Sequence, residues 1–330
     1  MNLGVRQRAD WIPLALTAAV ALAALALIGN PSTWVTLTVA GLAMGLLIFI
    51  MSSGLTLVFG LMDVMNFAHG LFIAIGAYVA ASTIKVFSAA AGADSFLANL
   101  GAVLPAMLAA VVVAGLLGLF FERVIIRPVY GQHLKQILIT TGGMIVAEQL
   151  IHVFWGPDLL PLPRPSTLRG SFLIGDMAIE KYRLIAVVIG LAVFAGMLLL
   201  LNRTKIGLLI RAGVENKEMV EAMGYRIRRL FVAVFVAGSA LAGMGGALWG
   251  MYQESVTVHI GASMMVLIFI VIIIGGLGSV GGCFVGALLV GLVANYVGYL
   301  SPKIALGSNI LLMVAILLWR PQGLYPVSKS

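Results

Sequence analysis

The sequence contains a single cysteine, Cys283. One thiol cannot form an intramolecular disulfide, and it cannot supply a cysteine-ligated zinc site or an iron–sulfur cluster by itself. The four histidines, His69, His133, His152 and His259, lie far apart in the chain and show none of the short spacings of metal-binding helices. The sequence therefore predicts no metal site, and nothing in it calls for a cofactor.

Charged residues are also scarce. They make up 10% of the 330 residues, whereas hydrophobic residues make up 62% and the mean hydropathy is +1.11. Soluble proteins are roughly 45–50% apolar and 25% charged. This composition argues against a soluble globular domain and predicts an integral membrane protein.

Long apolar runs recur along the whole chain. Each of ten runs is long enough for a helix of about 20 residues, which crosses the roughly 30 Å hydrocarbon core of a bilayer. The runs cover residues 11–28, 34–59, 66–84, 100–121, 137–155, 183–201, 230–253, 263–279, 282–300 and 305–319. We therefore predict an all-α fold, a polytopic transmembrane bundle of about 8–10 helices, in a single domain over residues 1–330.

The positions of lysine and arginine predict the orientation of this bundle, because both residues are enriched in cytoplasmic loops. Placing the N- and C-termini in the cytoplasm puts most of the 20 basic residues on that side. Residues 202–230 then form a cytoplasmic segment, and the proline-rich residues 156–182 form an external loop with a possible short hairpin. We expect a multi-pass membrane protein, in contact with lipid, whose net charge of +8 requires no nucleic-acid partner.

Polar residues interrupt the apolar texture within "MDVMNFAHGLFI", residues 62–73. If this segment is helical, Asp63, Asn66, His69 and Gly70 fall within an arc of about 120°. A polar face is costly in hydrocarbon, so it is expected to face the bundle interior or a water-filled path. Two interpretations stay open. The residues line a translocation pathway, or Asp63 caps a helix while Asn66 bonds a neighbouring backbone.

Glycine-rich strings raise the question of a nucleotide site. "GGLGSVGGCFVG" lacks the Lys-Ser/Thr ending of a phosphate-binding loop, and no nucleophile–base pattern occurs elsewhere. We therefore predict that this chain is not an enzyme and does not hydrolyse ATP itself. Gly278, Gly282 and Gly286, at four-residue spacing, are expected to allow close helix packing.

A weak internal echo links "GLMDVMNFAHG", which starts at Gly60, with "GLGSVGGCFVG", which starts at Gly276. Each string shares Gly-Leu-x-x-Val and a later glycine, and each precedes an apolar run. An internal repeat is one explanation, as in many transporters. Chance similarity between two glycine-rich strings is the other.

The cytoplasmic segment contains an amphipathic stretch over residues 214–223. If it is helical, an apolar side and a charged side separate, and Gly224 is suited to end the helix. The apolar side contains Met219, Val220, Ala222 and Met223, and the charged side contains Lys217, Glu218 and Glu221. Methionines suit an adaptable protein groove, and the glutamates argue against anionic lipid. This pattern favours docking to a partner over an idle solvated loop.

The chain resembles the LivH-type permeases of branched-chain amino acid ABC importers. The similarity lies in "GLTLVFGLMDVMNFAHGLFIAIGAYVA" (54–80), in "RAGVENKEMVEAMGYRIRRLFVAVFVAGSALAGMGGALWG" (211–250), in "VIIIGGLGSVGGCFVGALLVGLV" (271–293) and in "LLWRPQGLYP" (317–326). It extends over most of residues 34–326. One departure is Leu71, where family members commonly carry a polar or acidic residue, and this departure is compatible with a different solute.

The resemblance implies a complex of the bacterial inner membrane, in which residues 156–182 form a periplasmic loop. In that complex this chain pairs with a second, related permease chain, two ATP-binding subunits and a periplasmic solute-binding protein. The segment around residues 211–224 would sit in a groove of the ATPase and transmit its closure to the bundle. The residues that the resemblance assigns to this coupling are Arg211, Glu215, Glu218, Met219, Ala222, Met223 and Gly224. The solute, a branched-chain amino acid or another small polar molecule such as urea or an amide, stays open.

A secondary transporter is the alternative from another class. Asp63, His69 and Glu148 would then form a relay for protons or sodium ions. The cytoplasmic segment discriminates between the two, because a secondary transporter needs no ATPase-docking helix. An intramembrane enzyme would need a nucleophile–base pair, which the sequence does not show.

Overall fold

The computed structural model describes residues 11–325, and α-helices contain most of them. The helices are α1 (Ile12–Ile28), α2 (Pro31–Met62), α3 (His69–Val86), α4 (Ser88–Gly92), α5 (Phe96–Phe121), α6 (His133–Trp155), α7 (Lys181–Arg203), α8 (Lys205–Glu215), α9 (Lys217–Ala222), α10 (Ile227–Gln253), α11 (Ile260–Gly275), α12 (Val280–Leu300) and α13 (Pro302–Trp319). A π-helical turn (Glu122–Ile126) and 3₁₀ turns (Arg127–Val129 and Ser166–Leu168) interrupt the connections. The predicted termini at residues 1–10 and 326–330 lie outside the described residues.

Every predicted span overlaps one helix of this set. Within residues 11–325, seven helices are long and apolar enough to cross a membrane, and three shorter apolar helices accompany them. The predicted polytopic helical bundle is therefore confirmed. The centre of the bundle is α2. In its most apolar 18-residue stretch, 78% of the residues are buried, whereas 11% are buried in the corresponding stretch of α6. Helices such as α6 consequently present most of their surface to lipid or to another chain.

Glycines allow α2 to approach two neighbours at backbone distance. Gly54 lies against Gly238 of α10, and Gly45 lies against Ala287 of α12. A side chain at these positions would collide with backbone atoms, so only glycine permits this spacing. The helices α10 and α12 are both antiparallel to α2. The long, glycine-rich α2 is thus the axis against which the rest of the bundle packs.

Two parts of the bundle have the same construction in opposite directions. After α2, six residues (63–68) lead into α3, and after the antiparallel α10, six residues (254–259) lead into α11. Asp63 (φ 55°) and Glu254 (φ 57°), which end α2 and α10, are the non-glycine residues with positive φ in the described chain. The helix α2 packs along α12 as α10 packs along α5. This pattern is that of an inverted-topology repeat.

The repeat is not the one suggested by Gly60 and Gly276. Gly60 lies near the end of α2 and packs against Gly278, whereas Gly276 follows α11. In the two units, α2 corresponds to α10 and α11 corresponds to α3. The two similar sequence strings therefore belong to connections that meet at one end of the bundle. They do not occupy equivalent positions in the two repeat units.

The connections carry short strands. In the segment predicted as a periplasmic loop, β2 (Ser171–Ile174) and β3 (Met177–Glu180) form an antiparallel hairpin, and β1 (Leu160–Pro161) pairs with β4 (Ser255–Val256). In the segment predicted to couple to a partner, the chain forms two helices where one was expected. Asn216 separates α8 from α9 and caps α9, its Oδ1 accepting a hydrogen bond from the N–H of Met219 at 2.9 Å.

Candidate functional site

The polar segment between α2 and α3 is not helical, which corrects the inference of a single polar helix face. Asp63 ends α2 in the left-handed conformation, and α3 begins only at His69. The four predicted residues therefore have separate environments. Asp63 is half-exposed at the end of α2, Asn66 lies within the irregular link, and His69 and Gly70 start the next helix.

The link enters the bundle interior. The ring nitrogen Nε2 of His69 is 2.8 Å from the carbonyl oxygen of Met51, and since a carbonyl only accepts, this nitrogen carries the proton. Met51 precedes the end of α2 at Met62 by three turns of helix, which is about 16 Å along its axis. Residues 63–68 therefore run back alongside α2, from one end of the bundle toward its middle. Asn66 and His69 are each 1% exposed, so both are buried in this conformation.

Irregular backbone at this depth requires partners, because lipid offers no hydrogen bonds. Two side chains of α6 supply them. The backbone N–H of Met65 donates to Oε1 of Gln136 (3.4 Å), and that of Phe67 donates to Oγ1 of Thr140 (3.2 Å). Within the link, the N–H of Ala68 donates to Oδ1 of Asn66 (3.1 Å).

Gln136 and Thr140 are functional candidates that the sequence reasoning missed. Both are fully buried, and they lie one turn apart on the same face of α6. The amide of Gln136 also donates to the carbonyl oxygen of Val129 at 3.0 Å. The available signal was two polar residues at i and i+4 at the start of a mainly apolar run, and such a pair can serve as hydrogen-bond partners for backbone elsewhere.

The start of α3 meets the start of α11. A Cβ atom on Gly70 would lie 2.7 Å from the carbonyl oxygen of Gly261, so the two backbones are in direct contact. The rings of Phe67 and Phe269 pack with centroids 5.0 Å apart. The two inverted units thus touch where each returns from its six-residue link. Inverted-repeat transporters commonly bind their solute near such an interface.

The residues proposed for an ion relay do not form a chain of contacts. Asp63 lies 3.8 Å from Nε2 of His133, and both side chains are about half-exposed. His69 bonds Met51, and Oε1 of Glu148 is buried without a hydrogen-bond partner. Within the part of the chain that the structure describes, no hydrogen bond or ion pair joins Asp63, His69 and Glu148.

The predicted coupling segment touches α2 directly. A Cβ atom on Gly213 of α8 would lie 2.7 Å from Cδ1 of Leu61, two residues before Asp63. A cavity of about 290 Å³ lies beside this contact, between α2, α7, α8 and the turn before α12. It is lined by Leu57, Gly60, Leu198, Leu201, Asn202, Ile210, Arg211, Gly278, Ser279, Val280 and Gly281. This joint connects α8 to the end of α2 from which the link departs.

The surface of the coupling segment is apolar where a partner could reach it. Met219 is 61% exposed and Met223 is 68% exposed. Val220, predicted on the same side, is buried instead and packs toward the rest of the protein. Glu218 and Ala222 are exposed, and Gly224 adopts positive φ after α9.

The two remaining coupling candidates are on α8. A guanidinium nitrogen of Arg211 donates to Oδ1 of Asn202 at 3.4 Å, and Arg211 also lines the cavity beside α2. Glu215 is the last residue of α8, and its side chain lies outside the described part of the chain. Arg211 thus connects α8 to the end of α7.

The three glycines expected on one packing face separate into two groups. Gly282 lies against Gly275, and a Cβ atom on Gly286 would lie 2.8 Å from the carbonyl oxygen of Val271, so both face α11. Gly278 is not on that helix face. It lies in the turn before α12 with φ of 82° and packs against Gly60.

At the end of the bundle opposite to the coupling segment, Arg164 links the connection after α6 to the end of α10 through hydrogen bonds and ion pairs. Arg164 donates to the carbonyl oxygens of Met251 (3.0 Å) and Tyr252 (2.7 Å) and pairs with Glu180 at 2.9 Å and Glu254 at 3.2 Å. Its side chain is 12% exposed. The sequence reasoning did not single out Arg164, because a lone arginine in a proline-rich stretch has no distinctive pattern.

Comparisons with known proteins agree on one family. A family model described as the branched-chain amino acid transport system permease component matches residues 37–318. The chain is 30% identical to the high-affinity branched-chain amino acid transport system permease protein BraD of Pseudomonas aeruginosa, covering 87% of this chain and 94% of that protein.

Other relatives carry related descriptions. The permease protein LivH of Escherichia coli K12 is 28% identical over 86% of this chain and 92% of its own. The probable permease protein LivM of Methanocaldococcus jannaschii is 24% identical over 85% and 90%. No solved structure matches significantly. With most of its length matched, this chain belongs to the family of branched-chain amino acid transport system permease components.

Proposed function

We propose that this chain is the membrane-spanning permease subunit of an ATP-driven ABC importer for branched-chain amino acids or related small polar solutes. One observation carries the proposal furthest. An exposed methionine surface, Met219 and Met223, belongs to a helical segment that also touches Leu61, next to the link between α2 and α3. Such a segment suits a subunit that receives motion from a partner.

The coupling follows from these contacts. When an ATPase subunit grips α9 and moves it, α8 moves with it because the two helices are joined at Asn216. The contact between Gly213 and Leu61 transmits the displacement to the end of α2. The cavity of about 290 Å³ beside that contact leaves room for α8 to shift. The link 63–68 then changes shape and alters the contact between Gly70 and Gly261.

The closely packed centre of the bundle corresponds to one state of the transport cycle. Asn66 and His69 are buried here, so they line the pathway only when the contact between the two inverted units opens. Their polar groups then become available to a solute that carries charged or hydrogen-bonding groups. A two-state bundle of this kind needs binding energy from elsewhere to shift its populations.

The partners follow from the proposed role. Two ATP-binding subunits would hydrolyse ATP, which this permease would not do itself. A periplasmic solute-binding protein would deliver the solute, and a second permease chain would complete the pathway, with the termini of this chain in the cytoplasm. The lateral faces of α6 and α7 are largely exposed and offer surface for that second chain or for lipid. Similarity to relatives named LivH and LivM supports a pair of related permeases.

Leu71 does not face the proposed pathway. It is 4% exposed and lines an apolar groove between α3, α5 and α6. The departure at this position therefore bears on packing more than on the choice of solute. The choice is best assigned to the binding protein.

Reconstitution tests the proposed function. The complex of permeases, ATPases and binding protein is placed in lipid vesicles, with radiolabelled leucine and, separately, urea as the probe. We expect accumulation that requires ATP and the binding protein. Accumulation by this chain alone, driven by a proton or sodium gradient, would establish the secondary-transport alternative.

A further inference from the structure

A group of arginines surrounds a small cavity where α5 ends and α10 begins. The cavity has a volume of about 180 Å³, several times the roughly 30 Å³ that a water molecule occupies in the liquid. We call it the arginine pocket. It is lined by Glu122, Arg123, Arg127, Tyr130, Arg228, Arg229 and Val232.

The four arginines outnumber the one carboxylate of the pocket, that of Glu122, whose Oε1 bonds Tyr130 instead. All four are exposed, and in the described chain none of them forms an ion pair. Planar guanidinium groups that converge on one cavity match the geometry of phosphate oxygens. The pocket therefore attracts an anion, and a phosphate ester suits its size and its donors.

Glu122 adds a second requirement. It is 2% exposed, and its Oε1 accepts a hydrogen bond from the hydroxyl of Tyr130 at 2.5 Å. Its Oε2 is buried without a partner. Burial, and then the bond to Glu122, raise the pKa of Tyr130 well above its usual value, so this hydroxyl stays protonated and continues to donate. The free carboxylate oxygen needs a further donor.

The backbone is unusual here. Residues Glu122–Ile126 form a π-helical turn, and Arg127–Val129 continue as a 3₁₀ turn. A 3₁₀ turn is common at the end of a helix, but a π-helical turn is rare and is often found at a functional site. Arg123 and Arg127, four residues apart within these turns, both line the arginine pocket.

Apolar surface borders the arginine pocket. Phe120 and Val124, on either side of Glu122, are 53% and 55% exposed. A hydrated protein surface does not favour such residues, whereas acyl chains do. The bound molecule therefore has a polar end in the pocket and an apolar part along α5.

We propose that the arginine pocket binds the glycerophosphate headgroup of an anionic phospholipid. The phosphate lies among the arginines, and a headgroup hydroxyl donates to Oε2 of Glu122. The lipid thereby braces the start of α10 against α5. Arg229 also lines the cavity next to α9, so the brace lies beside the coupling segment. This inference depends neither on the solute nor on ATP coupling.

Native mass spectrometry of the full-length chain in detergent tests the proposal with four probes. They are phosphatidylglycerol, phosphatidic acid, phosphatidylethanolamine and free glycerol phosphate. We expect the wild type to retain phosphatidylglycerol in preference to phosphatidylethanolamine. Arg127→Gln with Arg228→Gln should lower that retention by at least about tenfold per arginine removed, the effect of losing one charged hydrogen bond at each position. Arg127→Gln and Arg228→Gln are also made singly, and Arg203→Gln, which removes one charge outside the pocket, is the control for each of them.

Two further variants separate binding from folding. Arg127→Lys with Arg228→Lys keeps the charge and should restore part of the retention. The wild type should also retain phosphatidylglycerol in preference to phosphatidic acid, which lacks headgroup hydroxyls. Glu122→Gln should reduce this preference while the size-exclusion elution profile of the protein stays unchanged. Equal retention of phosphatidylglycerol by the wild type and the Arg127→Gln, Arg228→Gln variant would overturn the proposal. Displacement of the lipid by millimolar free glycerol phosphate would overturn the proposal that the bound phosphate belongs to a lipid.

Discussion

The backbone of Gly70 is in contact with the backbone of Gly261, and this contact joins the two inverted units. A Cβ atom on Gly70 would lie 2.7 Å from the carbonyl oxygen of Gly261. Backbone atoms cannot rotate away as a flexible side chain can. Any larger residue therefore has to push α3 and α11 apart.

The first prediction concerns this contact. Gly70→Val should destabilise the packed state by about 1–3 kcal/mol, the usual cost of overpacking, and reduce uptake at least several-fold. Gly142→Val is the matched control, because a Cβ atom there meets no other atom within 4 Å. Uptake and the level of folded protein are measured together. Equal uptake by the two variants would show that the contact does not matter.

The second prediction concerns Thr140. Thr140→Val keeps the shape but removes the hydroxyl that accepts from Phe67, so a buried N–H loses its partner at a cost of about 1–3 kcal/mol. We expect a lower midpoint of thermal unfolding in detergent and slower uptake. Thr140→Ser should behave as the wild type. Thr141→Val, one residue along on the exposed side of α6, is the control. A wild-type midpoint in Thr140→Val would refute the proposed role.

These two sites show where prediction from sequence succeeds and where it stops. Apolar runs alone locate ten helices, because a bilayer demands about 20 apolar residues per crossing. Helical periodicity gave a wrong prediction around Asn66. The irregular backbone there is stabilised by hydrogen bonds to Gln136 and Thr140, which lie some 70 residues later in the sequence. The contact between Gly70 and Gly261 is likewise a property of two distant segments.

The coupling segment illustrates a local failure. Its amphipathic pattern correctly indicated an exposed apolar surface, but Asn216 ends one helix and caps the next. Asparagine is favoured at helix N-caps, so this break was readable from the sequence. The burial of Val220 was not readable, because it depends on how α9 lies against α10.

The third prediction tests docking. Met219→Asp with Met223→Asp places two charges on the exposed apolar surface, where burial against a partner would leave them unpaired. We expect loss of ATPase binding in a pull-down and of substrate-coupled ATP hydrolysis, with membrane insertion intact. Leucine at both positions should preserve binding, because it keeps the apolar volume. Unchanged uptake in the aspartate variant would rule out docking through this surface.

The fourth prediction separates the pathway from docking. Asn66→Leu removes the oxygen that accepts from Ala68, and it should slow transport by about tenfold while ATPase subunits still bind. Asn66→Asp retains an acceptor and should keep more transport. Recruitment is measured by pull-down and transport in vesicles. If Asn66→Leu also loses the ATPase, the link serves the structure of the coupling end and not the pathway.

The fifth prediction concerns the other end of the bundle. Arg164→Gln removes a largely buried charge that bonds two carbonyl oxygens at the end of α10 and pairs with Glu180 and Glu254. Breaking such a network should cost about 3 kcal/mol. We expect a lower unfolding midpoint and faster proteolysis of the connection between α6 and α7. Arg169→Gln, an exposed arginine with one bond to the carbonyl of Arg164, should change neither. Since β1 and β4 pair beside this network, equal proteolysis of both variants would mean that strand pairing alone holds the connection.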